Sequence, residues 1–266
     1  MPPGGGGLIR NSEAGDDLVG NPMIPDWQLP PGVDRGLWDY LRAADMVAGY
    51  DAQMATSPLA RADVAFCERA FPTPGRLLDL GCGTGRLCLH FAAKGYTCVG
   101  VDLSEPMLVQ ARANASAVGV SCDWKAANLV ELADLSDQSF EYAACLFSTL
   151  GMVRGADNRA KVIANAFRLL KPGGRFVLHA HNRFFRGLGR GVVWRQRLRT
   201  LLRRADAGDV TMPQAYGGAP LTLHHFTRRG AVRMLRVAGF RVVDVRTIHT
   251  MGGGDYGYLL LGERPA

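Results

Sequence analysis

Between Leu77 and Gly85 the chain reads LLDLGCGTG, and its chemistry rests on one acid and three glycines. Gly81, Gly83 and Gly85 alternate with small residues, so the backbone there can turn sharply and approach a ligand closely. N–H groups left open at the start of a following helix can receive an anion. Asp79 precedes the first glycine by two positions. A second apolar run, Tyr96 to Val101, ends in Asp102, seventeen positions after Gly85. A buried strand, a glycine turn and a second strand ending in an acid describe half of a doubly wound nucleotide-binding sheet. No lysine follows the last glycine, which excludes a P-loop. A dinucleotide turn, G-x-G-x-x-G, would need glycine where Arg86 stands.

Few side chains could move a proton. His179 and His181 end an apolar run that begins at Arg175, and alternation along a strand puts both on one face. His224 and His225 follow a Gly/Pro-rich stretch. His181 and His225 are the candidate general bases, with ordinary packing or hydrogen bonding the alternative for each. No carboxylate accompanies the histidines at ligand spacing, so no metal site is expected. Six cysteines occur without a C-x-x-C pair and read as small, reduced core residues.

These residues need a scaffold, and the 266-residue chain alternates as a parallel sheet requires. Strands are expected at about 76–80, 97–101, 121–126, 140–147 and 175–181. Helices are expected at about 85–94, 105–118 and 157–170, the last stopped by Lys171-Pro172-Gly173-Gly174. Continuous apolar runs mark strands covered on both faces. A helix at about 228–238 and an antiparallel edge hairpin, 240–248 with 256–262, complete the pattern. Two helices are expected between Gly36 and Phe71, interrupted near Ser57-Pro58. Residues 1–34, rich in Gly, Pro, Asp and Asn, read as a flexible N-terminal arm ahead of a domain over 35–266.

Residues 183–226 break the alternation. An insertion after the fifth strand falls at the carboxyl end of the sheet, where open α/β folds bind ligands, so it reads as a cap. Its first half, 183–204, holds eight arginines and no acid. The net charge of +7 is therefore local, the rest of the chain carrying about −1. Trp194, Leu198, Leu201 and Leu202 fall at i, i+4, i+7 and i+8, giving one apolar and one basic helical face. That helix could pack on the core, recognise an anionic substrate, lie on an acidic membrane surface, or bind RNA. No run of about 20 apolar residues is present to cross a bilayer. The N-terminus lacks the order of a secretory signal, so a cytoplasmic setting is expected.

The spacing D-x-G-x-G-x-G resembles motif I of the class I S-adenosylmethionine-dependent methyltransferases. LLKPGG before strand five, and Asp137, Phe140 and Glu141 for D-x-x-F-D, match further hallmarks of that family. The resemblance implies a Rossmann-like, seven-stranded, mainly parallel sheet and S-adenosylmethionine as cofactor. Asp79 would help hold the methionine amino group through water, in a turn made by Gly81, Cys82, Gly83 and Gly85. Asp102 would accept from both ribose hydroxyls, as a carboxylate with two oxygens can. Leu103, Met107 and Leu129 would flank the adenine. The usual acid-containing pair after strand three is replaced by Ala127 and Asn128, with Asn128 left to meet the adenine edge. Leu146 and Phe147 would lie beside the sulfonium. Tyr50-Asp51 resembles a pair in which the tyrosine closes over cofactor or substrate. The implied activity is methyl transfer to an O, N or C atom of a small molecule, anionic or lipophilic. An RNA methyltransferase or a non-catalytic cofactor-binding partner are the alternatives, and the oligomeric state stays open.

Overall fold

The computed structural model describes residues 24–212, 220–250 and 254–266. Helices α1 (Arg35–Arg42), α2 (Ala44–Thr56) and α3 (Pro58–Ala70) lead into β1 (Arg76–Leu80) and α4 (Arg86–Ala92). Then come β2 (Thr97–Asp102), α5 (Glu105–Val118), β3 (Asp123–Ala126), β4 (Phe140–Cys145), the short α6 (Thr149–Met152), α7 (Ala156–Leu169) and β5 (Leu170–His181). The insertion carries α8 (Arg190–Leu201) and the strands β6 (Asp209–Met212) and β7 (Leu221–His224). The chain closes with α9 (Arg228–Val237), β8 (Arg241–His249) and β9 (Asp255–Glu263).

Local chemistry explains several helix starts. Ser57, Ser104 and Thr227 cap α3, α5 and α9 by accepting from the N–H groups of Ala60, Met107 and Gly230. Among the described residues three α-helices, not two, precede β1. The additional break is at Ala43, whose ψ of 108° is extended, and no proline or capping side chain marks it in the sequence.

Seven strands form one sheet in the order β3-β2-β1-β4-β5-β9-β8. The first five run parallel, while β9 pairs antiparallel with β5 and β8. Leu78, Leu80, Phe140 and Phe176 pack on one face, with Leu235 of α9 and Ile163 of α7. Leu77, Tyr142 and Val177 pack on the other with Phe66 of α3 and Phe91 of α4. Burial on both faces accounts for the unbroken apolar runs. Strand order reverses between β1 and β4, the position where such sheets open a ligand crevice.

Residues 1–23 of the expected arm and 213–219 of the expected cap lie outside the described residues. Pro31 is tied to the loop after β3 by its carbonyl, which accepts from Asn128 Nδ2 at 2.8 Å. The insertion contains a two-stranded β6–β7 sheet that the sequence pattern did not indicate. Its helix α8 also sits opposite to the core-packing orientation. Trp194, Leu198, Leu201 and Leu202 face solvent, and Val193 and Gln196 are buried.

Candidate active site at the carboxyl end of the sheet

The glycine turn is pinned before any ligand arrives. Gly81 and Cys82 donate their N–H groups to Val101 O at 2.8 and 3.1 Å, locking the turn to β2. Gly81 has φ of +81°, and a Cβ added there would lie 2.3 Å from Thr149 Cγ2. Gly81→Ala combines left-handed strain with this overlap, costing on the order of 2–4 kcal/mol. S-adenosylhomocysteine affinity measured by calorimetry is expected to fall about 10–100-fold; an unchanged affinity would remove the turn from the site.

Asp102 organises the far side of the turn. Gly83 N donates to its Oδ2 at 2.8 Å and Ser104 N to its Oδ1 at 2.9 Å. Burial raises its pKa, while the N–H groups of Ser104, Gly83 and Leu103 act against that rise. Above the turn, α2 is fastened by Asp51. Thr84 Oγ1 donates to Asp51 Oδ1 at 2.5 Å, and Asn114 Nδ2 donates to Asp51 Oδ2 at 2.8 Å. The neighbouring Tyr50 thereby covers Gly83, and burial pushes its phenol up to about 12.

Two cavities meet across this turn. The first is lined by Gly83, Asp102, Leu103, Met107, Asn128 and Leu129, with Gly32, Val33, Leu37 and Leu41 from the N-terminal side. The second, about 640 Å³, is lined by Asp79, Cys82, Arg86, Leu146, Phe147, His181 and Tyr256. Met54 of α2 and Met212, Leu221 and Leu223 of the insertion form its apolar wall. Tyr40, Tyr50, Gly81, Thr149 and Met152 line both. Phe147 and Ser148 take φ of +50° and +64° in succession, which costs backbone energy in non-glycine residues and sets Phe147 in the second cavity.

Asp79 carries the most perturbed carboxyl of the site. It is 3% exposed, and its hydrogen-bonding side-chain neighbour is the weak donor Cys88 Sγ at 3.9 Å. Burial pushes it up to about 7, with Arg86 pulling the other way. A buried carboxylate facing a cavity with so little donor support suits a cationic ligand group.

The histidines separate by environment. His181 lines the second cavity, and its Nε2 has no hydrogen-bond partner among the described residues. Burial, reinforced by His179 and His225, holds its pKa well below the usual value. His225 is buried with its ring 5.5 Å from that of His181 and lines neither cavity; burial pushes its pKa down to about 4. His179 also stays behind the wall, its Nδ1 2.8 Å from Asp63 Oδ1. His224 Nδ1 sits 2.6 Å from Asp209 Oδ1.

Of the residues expected to bind cofactor, Tyr50, Asp79, Gly81, Cys82, Gly83, Asp102, Leu103, Met107, Asn128, Leu129, Leu146 and Phe147 all line one or both cavities. Gly85 lines neither; it starts α4 at φ +87°, backed by the Trp124 ring. Asn128 is already engaged, donating to Pro31 O and accepting from Val130 N at 3.0 Å. Sequence reasoning missed Thr149, Met152, Tyr40 and Tyr256. It also missed the clamp by Asp51, although the Tyr50-Asp51 pair was visible.

Residues 77–174 match the family described as "Methyltransferase domain". The ubiquinone biosynthesis O-methyltransferase of Hahella chejuensis is 33% identical over 138 residues, 50% of this chain and 56% of that protein. The Dechloromonas aromatica protein of the same name is 35% identical over 108 residues, 41% of this chain and 45% of that one. The chain thus spans about half the length of these curated relatives. An S-adenosylmethionine-dependent methyltransferase from Methanosarcina mazei superposes with a TM-score of 0.62 at 23% identity, covering 75% of this chain and 97% of that one. The 1,6-didemethyltoxoflavin-N1-methyltransferase of Burkholderia thailandensis, solved with 1,6-didemethyltoxoflavin and S-adenosylhomocysteine, also gives 0.62. It is 19% identical and covers 90% and 93%. Residues 77–174 of this chain therefore carry the methyltransferase-domain match, and the solved structures share the fold of the chain around it.

Proposed function

We propose that this protein transfers the methyl group of S-adenosylmethionine to an oxygen, nitrogen or carbon atom of a small, largely apolar acceptor. The observation that carries the reading is the junction of two cavities at Gly81 and Thr149, one against Asp102 and the other against Phe147 and His181. The residues fit the cofactor. Asp79 offers a buried carboxylate to an amino group, and each Asp102 oxygen keeps capacity for a hydroxyl beyond its backbone N–H. Leu103, Met107 and Leu129 supply apolar walls for a purine. Bound S-adenosylmethionine supplies an activated methyl group on a sulfonium centre.

The protein's share is alignment and exclusion of water, which can provide most of the acceleration in a displacement of this kind. Tyr50 and α2 close one side, and the 183–226 insertion caps the second cavity through Met212, Leu221 and Leu223. His181, whose ring lines the second cavity, takes the proton when the acceptor is a hydroxyl. The relatives named above include an O- and an N1-methyltransferase, so the acceptor atom stays open. Six unbridged cysteines, five of them buried, accord with a reducing cytoplasmic setting. Among the described residues no helix is long and apolar enough to cross a membrane. Calorimetry with S-adenosylhomocysteine, and transfer of labelled methyl from S-adenosylmethionine into a metabolite extract with mass identification of the product, test the reading together. Failure of the wild type to bind either form of the cofactor refutes it.

Asp79 makes cofactor binding pH-dependent. Its carboxyl, raised from 3.8 to about 7, is protonated in the free protein below that pH, and an ammonium group favours the ionised form. Affinity therefore rises with pH, by up to about tenfold per unit, and levels off above about 7. For the unliganded fold the sign reverses. Ionising Asp79 costs stability progressively from its unfolded value to about 7, and the full cost persists above. Calorimetric titrations on either side of pH 7 check the slope, and Asp79→Asn is expected to flatten it.

A further inference from the structure

We infer that α8 docks this protein on an anionic phospholipid surface. Trp194, Leu198, Leu201 and Leu202 are 67%, 39%, 78% and 61% exposed. The inward side of the helix is held instead by Gln196, whose Nε2 donates to Asp209 O at 2.8 Å and whose Oε1 accepts from Gly208 N at 2.7 Å. At roughly 100° per residue, Arg190 and Arg197 border the exposed stripe on one side and Arg195 on the other. Among the described residues no carboxylate pairs with these three or with Arg186; the acid nearest in sequence, Asp206, pairs with Arg199 and Arg204.

Beside the stripe, Arg186, Arg190 and Arg197 share a surface cleft of about 870 Å³ with Phe184 and Trp194. Three guanidinium groups around one cleft without an acid recognise phosphate. Leucines flanked by arginine, with a tryptophan among them, are the composition of a helix lying in a bilayer interface. The two features together specify a phosphodiester headgroup with acyl chains next to it. Free phosphate would leave the leucines in water, and a polynucleotide would gain nothing from them. With 12 residues, α8 is too short to cross a bilayer and lies in its plane. Gln196 straps it to β6, whose Met212 lines the second cavity along with Leu221 and Leu223 of β7. Docking therefore brings that cavity's wall to the lipid surface, and the inference holds whichever acceptor the site takes.

The test is co-sedimentation of the full chain with vesicles of phosphatidylcholine alone or mixed with phosphatidylglycerol. Binding is expected to the anionic vesicles only. It should fall roughly 25-fold in Arg190→Gln/Arg197→Gln, about fivefold for each charge. It should fall at least as far in Leu198→Ser/Leu201→Ser. Both variants should keep wild-type circular dichroism and S-adenosylhomocysteine affinity. No binding to anionic vesicles at low salt overturns the inference, as does binding indifferent to the leucine substitutions. Displacement by inorganic phosphate at matched ionic strength would assign a free-anion site instead, and tighter binding to homopolymeric RNA would assign a nucleic-acid surface; either result overturns it.

Discussion

Asp102→Ala is expected to weaken binding of S-adenosylmethionine and S-adenosylhomocysteine by roughly 10²–10⁴-fold. Each carboxylate oxygen holds one backbone N–H, from Gly83 and Ser104, and has capacity left for one ligand hydroxyl. Removing two hydrogen bonds to a charged acceptor costs about 3–6 kcal/mol. The loss is compounded because the turn then gives up its tether at Gly83. Folding should suffer less than binding: alanine orphans two N–H groups but removes a carboxylate whose burial is itself unfavourable. Asp102→Asn separates the two effects. It keeps the side-chain shape, yet its amide nitrogen cannot accept from Gly83 or Ser104, so it should bind closer to the alanine variant than to wild type. Calorimetry on all three proteins, with thermal unfolding as the control for folding, decides the matter. Affinity in Asp102→Ala within a few-fold of wild type would sink the assignment of this acid to the ribose.

What was legible in the sequence follows from what local chemistry determines. β1, its turn, β2 and α5 could be read closely because a twice-covered strand is an unbroken apolar run, and Ser104 and Gly119 mark both ends of α5. The cavity-lining residues of the site's floor, Asp79, Gly81, Cys82, Gly83 and Asp102, lie within that stretch, whereas Gly85, expected with them, lines neither cavity. The walls were not legible in the same way, because separate parts of the chain converge on them. Tyr256 reaches the second cavity because β9, one arm of the expected antiparallel edge hairpin, inserts between β5 and β8, a strand order that no local pattern encodes. Thr149 and Met152 sit on a four-residue helix too short to show a period.

Helix α8 illustrates a different limit. Its amphipathic spacing was visible, but spacing states only that two faces differ, not which one is buried. The insertion builds a sheet of its own, and Gln196 satisfies the backbone at Gly208 and Asp209. That bonding takes the inward position that hydrophobicity alone would have given to Trp194 and Leu198. The adjacent His224 and His225 pose the same problem. Their identity suggested a base, yet Asp209 engages the first and the second is buried behind His181.

His181→Gln is the second substitution with a large expected effect, and it acts on turnover instead of cofactor affinity. For a hydroxyl acceptor, kcat is expected to fall roughly 10²–10⁴-fold, the usual worth of a positioned general base, with S-adenosylhomocysteine affinity within about twofold of wild type. His181 can do this because its ring lines the second cavity, and because burial keeps that ring neutral at ordinary pH. A neutral imidazole has a lone pair to offer. Protonation sets in only well below pH 6.5, so the wild-type kcat at saturating cofactor should stay flat through neutrality and drop at acid pH as that lone pair is lost. Tyr256, its ring 4.7 Å from the imidazole, keeps its phenol proton because burial raises its pKa, so it does not compete for the proton. His225→Gln supplies the comparison: it lies next to His181 but lines neither cavity, so its kcat should remain within about threefold of wild type. An amine or carbon acceptor that reacts without late proton loss would show only a small effect in His181→Gln. The variant therefore reports acceptor chemistry as well as residue role. Equal losses in the two histidine variants would mean that the cluster acts through packing, and an undiminished kcat on a hydroxyl acceptor would exclude His181 as the base.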